Sequence, residues 1–144
     1  MVACVGFLDL SDEAQARAGE RLRSEIVVWL TSVTDDGQPQ STPVWFLWDG
    51  DSFLIYSRPG SPKVANIRRD AKVSLHLNSN ADGDDAVIFE AAARLADDEP
   101  PADRVPAYVD KYRQGIADLG WTVEKFVGDY SQPIRAVPTR VRAW

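Results

Sequence analysis

The stretch IVVWLTSVTDDGQPQSTPVWFLWDGDSFLIYS, residues 26–57, decides the fold. Ile26 to Thr34 is rich in β-branched residues and reads as a strand. Asp35 to Gln38 is a turn, with Gly37 free to take positive φ. Gln40 to Trp48 is a second strand. Its segment Val44 to Trp48 is apolar without interruption, which predicts burial on both faces. Pro43 has no N–H to give a ladder, so it marks an edge or a bulge. Asp49-Gly50-Asp51 signals a tight hairpin, and Ser52 to Ser57 is a third strand.

Outward from this meander the pattern continues. Arg58 to Pro62 is a stiff loop. Ser61 is a natural N-cap and Pro62 a natural first helical residue, so Lys63 to Arg69 reads as a short helix. Val73 to Asn78 alternates as a half-buried strand, Ser79 to Asp84 is a polar turn, and Ala86 to Leu95 returns as a fifth strand. Asp97 to Pro101 opens a helical excursion in which Val105, Tyr108, Val109 and Tyr112 recur at helical spacing. A second helix, Thr122 to Tyr130, carries Val123, Phe126 and Val127 on one face. Ile134 to Trp144 is a last strand. Upstream, Asp9 to Ser24 reads as a surface helix capped by Ser11 or Asp12, and the apolar start Met1 to Leu10 belongs to the fold. Repeats and linkers are absent from the sequence. The expected fold class is mainly β (α+β): an antiparallel barrel with flanking helices, formed as one domain over 1–144.

Composition narrows the function. With 144 residues the chain can bury a core without disulfides, and its single cysteine, Cys4, allows no internal disulfide. One cysteine and one histidine cannot build a structural zinc site. Asp82, Asp84 and Asp85 lack the ligand series of a calcium loop and read as a solvated hairpin tip, so no metal is expected. A membrane-spanning run and a basic leader are both missing, and the expected location is cytoplasmic. The net charge of −6 and a pI near 4.7 repel nucleic acid and anionic membranes. Positive charge is clustered, in Lys63, Arg68, Arg69 and Lys72 and again in Arg135, Arg140 and Arg142. Such a patch on an acidic protein suits a small anionic ligand.

The chemistry points to Tyr56-Ser57 followed by Ser61-Pro62-Lys63-Val64-Ala65-Asn66. A strand ends in hydroxyl residues and a helix then starts after a Gly/Pro loop. The first helical turn offers free N–H groups and the positive end of the dipole. Lys63 sits in that turn, where its charge is unfavourable for the helix alone. An anion at the helix start, reached also by Ser57 and Ser61, accounts for it. So does a solvated lysine after an ordinary cap. His76 on its alternating strand reads as structural rather than catalytic. Trp29, Trp45 and Trp48 read as core or as an interface between copies. A Gly-rich dinucleotide motif is absent, and so is a Ser-His-Asp order with a usable base.

Thr31-Ser32-Val33, Asp36-Gly37-Gln38-Pro39, Thr42-Pro43-Val44-Trp45-Phe46, Asp49-Gly50, Leu54-Ile55-Tyr56-Ser57, Lys63 and Asn66-Ile67-Arg68-Arg69-Asp70 with Val73-Ser74-Leu75 together resemble the pyridoxamine-5'-phosphate-oxidase-like superfamily. The resemblance runs over roughly Ile26 to Leu95. The Asn-Ile-Arg-Arg-Asp element after a phosphate-binding lysine resembles in particular the actinobacterial branch that uses the deazaflavin coenzyme F-420. The resemblance implies a split β-barrel working as a homodimer, with cofactor sites at the interface. It implies that Lys63 binds the cofactor phosphate, helped by Ser61 and Asn66. Tyr56 and Ser57 would line the ribityl chain and phosphate, and Thr42, Pro43, Val44 and Trp45 would run beside the ring. Arg68 and Arg69 would be a solvated face, a dimer contact or partners of a polyglutamate tail. The strand Gln40 to Trp48 carries no Lys or Arg, where pyridoxamine phosphate oxidases use basic residues to clamp FMN. The reading favoured is therefore hydride transfer between reduced F-420 and a small electron-poor organic substrate, with no identified catalytic side chain. The alternatives are an FMN-binding oxidoreductase of the same fold and a non-catalytic carrier of flavin, deazaflavin or haem. The helical excursion would shape or cover the substrate pocket.

Overall fold

The computed structural model describes residues 6–144; Cys4 and the first residues of the apolar start lie outside them. The elements are α1 (Glu13–Ser24), β1 (Val27–Val33), β2 (Pro39–Trp45), β3 (Leu47–Trp48), β4 (Phe53–Ser57), α2 (Pro62–Arg69), β5 (Lys72–His76), β6 (Val87–Leu95), α3 (Pro106–Asp118), α4 (Val123–Asp129) and β7 (Gln132–Ala143), with one 3-10 turn over Ala102–Arg104. Asp12, not Ser11, caps α1, its carboxylate accepting from the N–H groups of Ala14 and Gln15. The excursion begins later than Asp97. Pro106 opens α3 as a residue with no N–H to waste at a first-turn position.

The seven strands form one antiparallel sheet in the order β2-β1-β5-β6-β7-β4-β3. β2 and β3 stand at opposite ends of that order, yet only Phe46 separates them along the chain. The sheet must therefore curl until its two edges meet, as in a split barrel. A bulge assists the curl: Glu90 pairs with Arg140 and Ala91 with Pro138, leaving Thr139 as the extra residue on β7. Pro43 lies on β2, at an edge of the ladder, where a missing donor is harmless.

The barrel interior holds Val28, Leu30, Phe46, Phe53, Ile55, Leu75, Phe89 and Ile134. The start of the chain joins it. Leu8 is buried, Phe7 packs against it, and the Phe7 N–H donates to the Gly50 carbonyl at 2.7 Å. A second apolar cluster outside the barrel unites Leu54 and Tyr56 with Tyr108, Tyr112, Ile116 and Phe126. Consequently β4 is buried at all five positions, on one face by the barrel and on the other by α3 and α4.

The expected unbroken strand Gln40 to Trp48 is interrupted at Phe46. There the backbone turns to α3. The Phe46 N–H donates to the Tyr112 hydroxyl at 2.8 Å, and its carbonyl accepts from Tyr112 and from Lys111 Nζ. Val44 to Trp48 is accordingly mixed in burial: Trp45 and Leu47 are half-buried and pack on the outer cluster, while Phe46 enters the barrel.

Candidate functional site

Lys63 stands in the first turn of α2, where the loop after β4 reverses the chain. Pro62 fixes the helix start, and Ser61 takes the extended backbone of an N-cap. Ser61 makes no side-chain capping bond; its hydroxyl pairs with that of Ser57 at 2.8 Å, and Ser57 also donates to the Arg58 carbonyl. The expected pair of hydroxyls is thus assembled beside the helix start.

Two depressions meet at Lys63. The first is an aromatic cleft of about 220 Å³, walled on one side by Pro43, Val44, Trp45, Tyr56 and Ser57 and on the other by Tyr108, Leu119, Phe126 and Tyr130. The second is a polar trough of about 370 Å³ lined by Ser32, Gln40, Ser41, Thr42 and Pro62. Lys63 lines both. Of the residues expected from the sequence, Pro43, Val44, Trp45, Tyr56, Ser57 and Lys63 therefore share one cleft, and Thr42 joins Lys63 in the trough. Asn66 is brought near by a different route. It is buried, and its amide donates to Ser32 Oγ and Gln40 Oε1, each at 3.0 Å. Those two residues line the trough, so Asn66 ties α2 to β1 and β2 behind the site.

The site's electrostatics centre on Lys63. It makes no ion pair among the described residues, and burial pulls its amine below the ordinary lysine value of 10.5. The Tyr56 ring faces the cleft, but its hydroxyl is committed elsewhere, donating to the Pro100 carbonyl at 2.6 Å. Burial raises that phenol to about 12. The Thr42 hydroxyl is buried without a hydrogen-bond partner.

The aromatic wall was only partly visible in the sequence. Trp45 stacks on Tyr112 with centroids 4.6 Å apart and planes 7° from parallel, and on Phe126 at 5.5 Å. Phe126 in turn stacks on Tyr130 at 4.9 Å. The i, i+4 spacing of Phe126 and Tyr130 was a legible signal that they share a helix face; it carries no information on what that face covers. The basic cluster near the C-terminus does not contribute. Arg135 is neutralised by Asp49 and Glu99, and Arg140 and Arg142 lie on the outer part of β7. His76 stacks on Trp29 with centroids 6.3 Å apart and lines a separate depression with Asn78 and Ile88. Asp85 pairs with Arg21, and Asp84 with the Asn80 amide.

A planar ring with an anionic tail fits this donor set. The cleft offers flat aromatic walls, the trough offers hydroxyl and amide groups, and the junction holds a half-buried amine free of carboxylates among the described residues. The unpartnered Thr42 oxygen is the kind of group a ligand would satisfy.

Comparison with known proteins agrees on the architecture. A conserved hypothetical protein of Mycobacterium tuberculosis superposes with a TM-score of 0.68 at 23% identity, covering 100% of this chain and 88% of that one. A protein described as an F-420 reductase gives 0.64 at 19% identity, covering 85% and 94%. HutZ, the heme storage protein of Vibrio cholerae, gives 0.62 at 12% identity, covering 92% and 95%. At these identities the likeness is one of fold. Among curated proteins none matches the sequence. The family described as pyridoxamine 5'-phosphate oxidase matches residues 14–144, nearly the whole chain, and the protein belongs to that family.

Proposed function

We propose that the chain is an oxidoreductase that binds a flavin or deazaflavin in the aromatic cleft, with coenzyme F-420 as its preferred partner, and reduces a small electron-poor organic substrate. The observation that carries this reading is Lys63: a half-buried amine with no acidic partner among the described residues, at the junction of an aromatic cleft and a polar trough. A fold shared with an F-420 reductase supports it, and the absence of Lys and Arg from Gln40 to Trp48 disfavours a tightly clamped FMN.

When bound, the cofactor supplies the hydride. The protein supplies binding, orientation and exclusion of water. Lys63 and the trough hold the anionic tail, with Ser57 and Ser61 beside it. Trp45 and the β2 backbone at Pro43 and Val44 face the ring, and Thr42 lies in the trough with the tail. Phe126 and Tyr130 close the opposite wall with aromatic surface. Solvent can supply the proton, so the reaction needs no dedicated acid or base. A homodimer is part of the proposal, as is a cytoplasmic setting. Among the described residues no helix is long and apolar enough to cross a membrane.

Equilibrium titration of the apo protein with F-420 and with FMN, followed by tryptophan and cofactor fluorescence, tests the reading. Tighter binding of F-420 is expected, weakened on the order of tenfold or more in Lys63→Ala, the worth of a charge-assisted contact. Preference for FMN would keep the site and change the cofactor class. Binding of neither ligand would remove the proposal and leave the fold.

A further inference from the structure

Among the described residues, two buried side-chain oxygens have no hydrogen-bond partner: Thr42 Oγ1 and the Tyr108 hydroxyl. They belong to different elements, β2 and α3, yet one lines the trough and the other the aromatic cleft. Burying a hydroxyl without a partner is costly, and folded proteins rarely leave one so. Two such groups at the two lobes of one site point to a ligand as the missing partner.

Tyr108 is the sharper case, because its neighbours show what an ordinary buried phenol does here. Tyr56 gives its proton to the Pro100 carbonyl. Tyr112 has two carbonyls within reach of its single O–H, those of Ile26 and Phe46. Tyr108 has no such outlet among the described residues, although it borders the cleft. Its side chain is fully buried, edge-on to Tyr56 at 5.0 Å and tilted against Tyr112 at 4.9 Å. Phe126 lies at 6.1 Å on a third side. Burial also raises the phenol well above 10.0, so at neutral pH the group is a donor.

We propose that Tyr108 is a ligand-positioning residue, whose hydroxyl donates a hydrogen bond to a carbonyl oxygen or ring nitrogen of the planar ring bound in the cleft. The inference rests on the ring-binding reading above and adds a second recognition point to it. Lys63 recognises the anionic tail; Tyr108 recognises the polar edge of the ring.

Tyr108→Phe removes the hydroxyl and keeps the packing. Two measurements read it. In the ligand-free protein the melting temperature is expected to rise, by about 3 °C, because a buried unpaired hydroxyl is gone. In titrations, affinity is expected to fall about fivefold to tenfold for a ring ligand, equally with and without phosphate. The probes are FMN against riboflavin, and F-420 against its phosphate-free deazariboflavin. Lys63→Ala, in contrast, should weaken only the phosphate-bearing member of each pair. A lower melting temperature in Tyr108→Phe would mean that the hydroxyl has a partner inside the protein, and would overturn the proposal. Unchanged affinity would overturn it too, while Lys63→Ala still losing FMN or F-420 would leave the broader reading standing. Wild-type protein that binds none of the four ligands would overturn both.

Discussion

Lys63 shows how a single residue can read against its local context and still fit the site. A positive charge in the first turn of α2 opposes the helix dipole, and burial adds a desolvation cost that lowers its pKa. Both penalties are relieved by an anion. The consequence for pH is specific. The unfolded chain holds the proton up to the ordinary 10.5, the folded chain releases it earlier, so in the window between the lowered value and 10.5 the unfolded state binds more protons. Apo stability therefore gains from this group as pH rises through that window. Anion affinity runs the other way: it is full while the amine is protonated and is lost as pH passes the lowered value. The ratio of FMN to riboflavin affinity isolates the effect, since the shared ring cancels, and above about pH 8 the phosphate is already doubly ionised. That ratio is expected to fall as pH rises from about 8 towards 10.5, and to stay flat in Lys63→Arg, whose guanidinium remains charged. A wild-type ratio that does not move with pH would contradict the assignment of Lys63 to the phosphate. The lysine and its helix start were legible in the sequence because caps, Pro and dipole are local effects. The role of Asn66 was not: its partners Ser32 and Gln40 lie on other strands, and nothing in a local window names them.

At the scale of elements, α3 is held to the barrel where β2 gives way to β3. Tyr112 accepts from the Phe46 N–H and has the carbonyls of Ile26 and Phe46 within reach of its one O–H, while Lys111 Nζ donates to the Phe46 carbonyl. The same helix brings Tyr112 flat against Trp45, and Gly115 lets it approach: a Cβ there would stand 3.2 Å from the Trp45 ring. Tyr112→Phe keeps the stacking and leaves the Phe46 N–H without its acceptor in a buried corner. The expected cost is about 2 kcal/mol, a drop of several degrees in melting temperature, with the secondary structure retained. Denaturant unfolding monitored by far-ultraviolet dichroism measures it; a variant as stable as the parent would show that the corner does not depend on this hydroxyl. The interruption of the apolar run Val44 to Trp48 escaped the sequence for the same physical reason. Hydropathy records that five consecutive residues are apolar, and it does not distinguish a strand buried on both faces from a chain that switches faces at a bend. The strand buried on both faces is β4, covered by a helical excursion whose own apolar spacing was readable but whose docking site was not.

For the molecule as a whole, turn signals and alternation were enough to suggest an antiparallel meander closing towards a barrel, because most strands announce their polar punctuation locally. The ladder order joins residues far apart in sequence and had to be seen. That order also lays out the sheet's outer face. Pro43, Trp29, His76, Ile88 and Arg142 stand in one row across five strands, each paired to the next. Trp29, His76 and Ile88 are only half-buried there, and Val137 on the same sheet is 47% exposed. A semi-apolar row with a stacked Trp–His pair at its middle is more than isolated exposed residues, and it is the surface on which the proposed homodimer would form. Sedimentation equilibrium is therefore expected to give about twice the chain mass of 16.0 kDa. Trp29→Asp, which places a charge in that row without touching the barrel interior, is expected to shift the protein to monomer while its dichroism stays that of the parent. If the cofactor site is completed by the second copy, the monomeric variant also loses affinity for F-420 and FMN alike, although Lys63 and Tyr108 are untouched. A monomer that binds as tightly as the parent would confine the site to one chain, and a parent that is itself monomeric would remove the dimer from the proposal.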